Sequence, residues 1–231
     1  TYFHNQGKQI SFKILSAFKL FLSIDRLLLH CLKCYNKLNY VERRAFTVFD
    51  WFQLAKEKEQ KTIQIRRYLH QHPELSFEEH QTAAYIIDQL SKLNCEVQAP
   101  IARNGIIATF EGSGEGPTIA LRADFDALPI VEETGLPFQS QNKGVMHACG
   151  HDGHTAILLT VAEIIDAHRE YLKGNVVLVF QYGEEVMPGG AQEIIDTGCL
   201  RHVDRIYGNH LWSGYPTGTI CLLYTSPSPR D

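Results

Sequence analysis

Short extended runs alternate with amphipathic helical segments between residues 48 and 220, and this alternation constrains the fold more than any other feature. Residues 176–180 are apolar throughout, which is typical of a strand that is buried on both faces. A sheet with helices on both sides accommodates both patterns. The sequence therefore predicts the α/β class, with the layers of an α/β/α sandwich.

The boundaries of the predicted elements follow from periodicity and from breaker residues. Asp50 is the expected N-cap of the first helix, and Ser76, Phe77, Glu78 and Glu79 have the form of a capping box that opens the second. Helices are predicted over 50–69, 76–93, 155–168 and 191–197, and strands over 95–98, 105–110, 118–123, 176–180, 205–209 and 217–220.

Charge divides the chain unequally. Residues 1–47 contain eight Lys and Arg but two Asp and Glu, and all nine prolines lie at Pro73 or later. We expect residues 1–47 to be non-native upstream translation or a disordered basic segment, with a basic membrane-surface anchor as the alternative. Residues 221–231 lack periodicity and resemble a translated sequencing adapter. We therefore expect 48–220 to be the N-terminal part of a catalytic domain, cut off at Ile220.

Composition argues against two classes of partner. A net charge of -4 gives no basic surplus for nucleic-acid binding. The most apolar stretch of the N-terminal segment, residues 14–32, is interrupted by Lys19, Asp25 and Arg26, so no membrane span is expected. The six cysteines follow no disulfide spacing, which favours a reducing, cytoplasmic setting.

Polar residues follow the predicted strands, where ligands bind in open α/β sheets. Asp124 and Asp126 follow one strand, and His210 follows another. Glu184 and Glu185 follow the strand at 176–180. Between Asp126 and Glu184, a loop that leads into the predicted helix at 155–168 holds the remaining candidates, which are His147, Cys149, His151, Asp152 and His154.

Thiolate, imidazole and carboxylate groups together are typical metal ligands. Two adjacent glutamates repel each other unless a cation or distinct roles separate them, so one can bind metal while the other transfers a proton. Each piece alone also fits a cap, a turn or a solvated surface. Two alternatives stay open: thiol catalysis with Cys149 as nucleophile and His151 as base, and a metal-binding module without catalysis.

Five motifs in order resemble the metal-dependent amidohydrolases that cleave N-acyl amino acids, within the aminoacylase and carboxypeptidase superfamily. The motifs are RRYLHQHPEL at 66–75, LRADFDALP at 121–129, MHACGHDGH at 146–154, QYGEE at 181–185 and GNHLW at 208–212. The resemblance implies hydrolysis of acetyl, benzoyl or similar amides, with a metal-dependent exopeptidase or dipeptidase, or an inactive metal-binding fragment, as alternatives. It also implies a homodimer formed through a lid domain that would follow Ile220.

The same resemblance implies roles for individual residues. Cys149 would bridge two divalent ions, manganese first and zinc, cobalt or nickel as alternatives, with His151, Glu185 and His210 as further ligands. Glu184 would be the general base that activates water. Asp124 and Asp126 stand where carboxypeptidase relatives have His-x-Asp. Because that histidine is missing here, they are expected only to contact and orient the ligand side chains, without binding metal. Asp152 is expected to do the same and, with His154, to orient the loop, whereas the motif at 70–73 is expected to be structural.

Overall fold

The computed structural model describes residues 50–214 and 216, so the expectations for 1–47, 217–220 and 221–231 lie outside the described residues. The described helices are α1 (Trp51–Glu57), α2 (Glu59–Gln71), α3 (His80–Leu90), α4 (His151–Ala167) and α5 (Gly190–Asp196), with a short 3-10 turn at Arg169–Tyr171. The described strands are β1 (Glu96–Ile101), β2 (Gly105–Glu111), β3 (Thr118–Asp124), β4 (Asn175–Gln181) and β5 (Arg205–Gly208).

The first predicted helix, 50–69, is two helices in the structure. Asp50 caps α1 as expected, since its carboxylate accepts a hydrogen bond from the backbone N–H of Gln53 at 3.1 Å. Lys58 then separates α1 from α2, and its Nζ lies 3.1 Å from Glu163 of α4. The prediction of one helix was wrong, because no proline or glycine in the sequence marks the break at Lys58.

The predicted capping box at Ser76 was also wrong. α3 begins at His80, four residues later, and the Ser76 hydroxyl donates to Asp126 instead. Glu74 serves the start of α3, because its carboxylate accepts hydrogen bonds from the backbone N–H groups of Gln81 and Thr82 at 3.1 and 2.7 Å. A cap from outside the helix cannot be recognised by the Ser-x-x-Glu spacing.

The described strands form one mixed sheet in the order β1-β2-β4-β3-β5. β1 and β2, and β2 and β4, are antiparallel, whereas β3 is parallel to both β4 and β5. In this register Asp124 lies opposite Gln181, and Arg122 lies opposite both Val179 and Gly208. The carboxyl ends of β3, β4 and β5 therefore meet at one edge of the sheet.

The core confirms the α/β reading. Residues 177–181 of β4 are all buried, as expected for a strand covered on both faces. In α4, every residue from 151 to 165 except Glu163 is buried. This helix begins at His151 rather than at the predicted Thr155, because Gly150 adopts a left-handed conformation (φ 95°) that ends the preceding loop. None of the described helices has both the length and the apolar character needed to cross a membrane.

Candidate metal centre

The predicted convergence of polar residues at one sheet edge is observed. Asp124 is the last residue of β3, Glu184 and Glu185 follow β4, and His210 follows β5. His151, the first residue of α4, lies among them and is fully buried. Three elements of the sheet and one helix thus bring their side chains to the same place.

His151 is shared by three groups of potential ligands whose donor atoms lie within 4.8 Å of one another. The groups are Cys149 with His151 and His210, Asp124 with His151 and His154, and His151 with Glu184 and Glu185. The Cys149 Sγ lies 3.3 Å from the His210 Nε2. The His151 Nε2 lies 3.8 Å from a Glu184 oxygen and 3.7 Å from a Glu185 oxygen. All four expected metal ligands belong to these groups.

Two donor atoms at the centre fit a cation. The His151 Nε2 and the Glu185 Oε1 are buried and have no hydrogen-bond partner. Buried polar atoms are normally hydrogen-bonded, so an unpaired nitrogen beside an unpaired carboxylate oxygen calls for a further binding partner. Sulfur, imidazole and carboxylate donors together suit divalent transition metals. The residues present therefore fit the metal chemistry expected from the sequence.

Asp126 sets the orientation of His151. The Nδ1 of His151 lies 3.0 Å from both the backbone oxygen and the Oδ1 of Asp126. A hydrogen on Nδ1 directs the lone pair of Nε2 toward the three groups, as metal-binding histidines require. The Oδ2 of Asp126 accepts hydrogen bonds from the Ser76 hydroxyl at 2.7 Å and from the Glu185 backbone N–H at 2.9 Å. Asp126 thereby connects a candidate ligand to the turn that carries the two glutamates.

Asp124 lies closer to the centre than expected of a residue that only supports ligands. Its Oδ2 is 3.6 Å from the His151 Nε2, and its Oδ1 accepts a hydrogen bond from the His154 Nδ1 at 2.6 Å. The Arg122 guanidinium also donates to it, at 2.7 Å. Burial raises the pKa of Asp124, but the histidine contacts and Arg122 outweigh burial and hold it well below its ordinary range. Asp124 is therefore an anion next to the candidate ligands.

His154 links Asp124 to the end of β5. With Nδ1 bound to Asp124, its Nε2 accepts a hydrogen bond from the backbone N–H of Leu211 at 2.9 Å. Leu211 also approaches α4 closely, because a Cβ added at Gly153 would lie 2.5 Å from its Cδ1. The structure therefore holds the segment after His210 against the first turn of α4 through His154 and Gly153.

Neighbouring groups in the site shift the pKa values of His151, Cys149 and Glu184. Burial lowers the pKa of His151, but Asp126, Cys149 and Asp124 outweigh it and raise the value to about 11. Hydrogen bonds with His151 and His210 lower the pKa of the Cys149 thiol. Burial, followed by the charge of Asp124, raises the pKa of Glu184. The site thus favours positive charge on His151 and makes the Cys149 thiol easier to ionise.

Asp152 lies outside the three groups. It is buried, and its Oδ2 is 3.0 Å from the Arg66 Nε and 2.8 Å from the His70 Nδ1. The other nitrogen of His70 lies 3.2 Å from Glu132. Asp152 therefore anchors the first turn of α4 to α2 and, through His70, to the loop that contains Glu132.

The protein-family model "Peptidase family M20/M25/M40" matches residues 120–223. A Bacillus subtilis protein named as an amidohydrolase is 50% identical over 161 residues, which are 70% of this chain and 41% of that protein. The N-acyl-L-amino acid amidohydrolase of Geobacillus stearothermophilus is 44% identical over 172 residues, 74% of this chain and 46% of the relative. Residues 120–223 thus match this family, and the chain is similar to proteins named as amidohydrolases. It spans less than half the length of these curated relatives.

A solved M20 structure agrees with the fold. The crystal structure of a Bacillus subtilis protein described as a dinuclear metal-binding peptidase of the M20 family matches with a TM-score of 0.65 and 43% identity. The match covers 68% of this chain and 44% of that one. The α/β fold expected from the resemblance is thus confirmed, and so is the similarity to hydrolases of the M20 family.

Proposed function

We propose that the protein to which this chain belongs is a metal-dependent amidohydrolase that cleaves N-acyl amino acids, with an acetyl, benzoyl or similar acyl group. The proposal rests on two buried atoms without a hydrogen-bond partner, His151 Nε2 and Glu185 Oε1, which can each donate a lone pair to a metal ion. They lie within a cluster of sulfur, imidazole and carboxylate groups. The similarity to an N-acyl-L-amino acid amidohydrolase supports the choice of substrate. Residues 48–220 would form the N-terminal part of the catalytic domain.

Cys149, His151, Glu185 and His210 would hold two divalent ions, with Cys149 as the shared ligand. Manganese is the first candidate, with zinc, cobalt and nickel as alternatives. Such ions act as Lewis acids and lower the pKa of water when they are bound. The described cysteines, Cys95, Cys149 and Cys199, are free, which supports a reducing, cytoplasmic setting in which a thiolate remains available.

Glu184 and Glu185 differ in a way that suits separate roles. The side chain of Glu184 is 40% exposed, whereas that of Glu185 is 18% exposed and has a buried, unpaired oxygen. Glu185 therefore faces the candidate ligands, and Glu184 remains accessible to water and substrate. Burial raises the pKa of Glu184 and so brings this pKa closer to neutral pH, which suits a group that accepts and returns a proton.

In the proposed reaction, Glu184 accepts a proton from the water that attacks the acyl carbonyl carbon. A new C–O bond forms, and the C–N bond to the amino acid then breaks. Glu184 returns the proton to the departing nitrogen, so that the products are a carboxylic acid and a free amino acid. Asp126 keeps His151 in one orientation throughout, through its hydrogen bond to Nδ1.

A peptide substrate is the second candidate, because the solved relative is described as a peptidase. The chemistry of the broken bond is the same, and the two candidates differ in the group attached to the nitrogen of the amino acid. A homodimer formed through a lid domain belongs to this proposal as well. Thiol catalysis by Cys149 is disfavoured, since it leaves Glu184, Glu185 and His210 without a role.

Two variants of the full-length protein test the proposal. Glu184→Gln should retain metal and lose at least ~100-fold in kcat, because an amide cannot carry the proton. Glu185→Gln is the matched control and should lose metal as well as activity. Metal content by elemental analysis, together with release of free amino acid from N-acetyl, N-benzoyl and dipeptide substrates, gives the readout. Equal loss of metal in both variants would contradict the assignment of base and ligand.

A further inference from the structure

The carboxylate of Glu79 is buried, and it has no role in the proposed chemical steps. Glu79 is 0% exposed, and its two oxygens accept hydrogen bonds from the Gly183 backbone N–H at 2.8 Å and from the Asn104 amide at 2.9 Å. Gly183 immediately precedes Glu184, the proposed base. A carboxylate that lies 104 residues earlier in the sequence therefore holds the backbone of the glutamate turn.

The start of α3 does not account for this burial. Glu74 already accepts the hydrogen bonds of the Gln81 and Thr82 N–H groups, whereas Glu79 makes no side-chain hydrogen bond to its own helix. Burying a carboxylate is costly unless specific partners compensate it, and burial raises the pKa of Glu79. The buried carboxylate thus provides hydrogen bonds to Asn104 and Gly183, and the one to Gly183 reaches the turn that carries the two glutamates.

Ser76 reaches the same turn by a second route. Its hydroxyl donates to the Oδ2 of Asp126 at 2.7 Å, and that oxygen also accepts the Glu185 N–H at 2.9 Å. The other oxygen of Asp126 orients His151. Ser76 therefore contacts the group that connects the glutamate turn to a candidate metal ligand.

Phe77 lies between these two residues and packs against the turn. Its φ of 68° lies in the left-handed region that non-glycine residues rarely adopt. A Cβ added at Gly183 would lie 2.8 Å from the ring of Phe77, and the ring meets Tyr182 edge to face at 5.8 Å. A strained backbone persists only where its surroundings hold it, and here it places a ring directly over Gly183.

We propose that Ser76, Phe77 and Glu79 form a positioning clamp that fixes the Gly183–Glu185 turn, and with it the orientation of Glu184 and Glu185. The clamp rests on the proposed function, since it acts on the proposed base and ligand. Its residues act through Gly183 and Asp126, and none of them belongs to the three groups of potential ligands. Glu79 is the principal member, because its hydrogen bond to Gly183 is adjacent to Glu184.

The test uses the full-length protein with Glu79→Ala and Glu79→Gln. Glu79→Ala should lower kcat and weaken metal binding by about 10- to 100-fold, with KM little changed. Glu79→Gln should recover most of both, because its amide oxygen still accepts the Gly183 N–H and Asn104 can rotate to match. Glu78→Ala, a change at the exposed neighbouring glutamate, should leave both unchanged.

A second control separates positioning from stability. Ile86→Ala removes a fully buried side chain of α3 and should lower the stability of the apo protein without changing kcat. Hydrogen exchange of the amides of residues 183–185, measured without substrate, should rise in Glu79→Ala and remain near wild type in Glu79→Gln. This readout tests the clamp even if no N-acyl amino acid is hydrolysed, an outcome that would contradict only the proposed function. Unchanged exchange at Gly183 in Glu79→Ala, or a loss of kcat in Ile86→Ala equal to that in Glu79→Ala, would overturn the clamp.

Discussion

Replacing Asp126 with asparagine changes one atom at the point where the proposed ligands are connected. Asp126 is buried, and its carboxylate interacts with His151 Nδ1, the Ser76 hydroxyl and the Glu185 N–H. An asparagine oxygen can still accept from Ser76 and Glu185. Its NH2 group then faces the Nδ1 of His151, so two donors meet when Nδ1 carries hydrogen. Metal binding at Nε2 requires that tautomer, and the substitution therefore opposes it.

The expected size of the effect follows from the contact that is lost. A hydrogen bond to a charged group contributes about 1.5–3 kcal/mol. At about 1.4 kcal/mol per factor of ten, this corresponds to roughly 10- to 150-fold in metal affinity. The backbone oxygen of Asp126 also lies 3.0 Å from Nδ1 and keeps part of the orientation. We therefore expect a value near the lower end, about tenfold.

Competition against a chromophoric chelator measures this affinity directly, and kcat/KM gives the parallel effect on turnover. Asp204→Asn is the matched control, since its carboxylate accepts the Thr118 N–H at 2.8 Å at the opposite end of β3. The control should bind metal as the wild type does. Wild-type metal affinity in Asp126→Asn would refute the reasoning that Asp126 sets the tautomer of His151.

Three further predictions concern other parts of the described structure. Cys149→Ala should lose metal and activity together, and two retained equivalents of metal by elemental analysis would exclude a bridging thiolate. Glu74→Ala should lower the free energy of unfolding by about 0.5–2 kcal/mol, as for loss of a helix cap, with unchanged metal content in the folded protein; chemical denaturation measures it, and an unchanged midpoint would contradict the capping role. Burial lowers the pKa of His70, but the hydrogen bond to Asp152 and its charge outweigh burial and raise it above 6.5. The resulting stabilisation is complete below pH 6.5 and is lost as the pH rises through the raised pKa of the folded state. His70→Gln should therefore flatten the fall in the free energy of unfolding above pH 6.5. A parallel fall in both proteins would contradict this contribution of His70.

The strand ends could be predicted from the sequence because they depend on local pattern. The apolar run at 176–180 identifies β4, and the residues that follow it must lie at the carboxyl end of the sheet. The same argument placed Asp124 and His210 at that edge. Composition and spacing were sufficient to predict this common edge, because parallel strands bring their carboxyl ends together even when their residues are distant in sequence.

The contacts made by Ser76, Glu79 and Lys58 could not be predicted in this way. Ser76 fits a capping box locally, yet its partner is Asp126, 50 residues later. The partner of Glu79 is a backbone N–H, which no side-chain motif records. The break at Lys58 coincides with an ion pair to Glu163. Ser76 and Glu79 thus make tertiary contacts in place of local ones, whereas the break at Lys58 has no local sequence signal.

We propose that this sheet edge holds two divalent ions on which amide hydrolysis depends. The most direct test removes metal from the full-length protein with a chelator and then adds Mn²⁺ in measured steps, while bound metal and hydrolysis of an N-acetyl amino acid are followed together. We predict that activity disappears with the metal and returns as two equivalents bind per chain. Activity that persists in the metal-free protein would contradict metal-dependent hydrolysis and would favour catalysis by the Cys149 thiol.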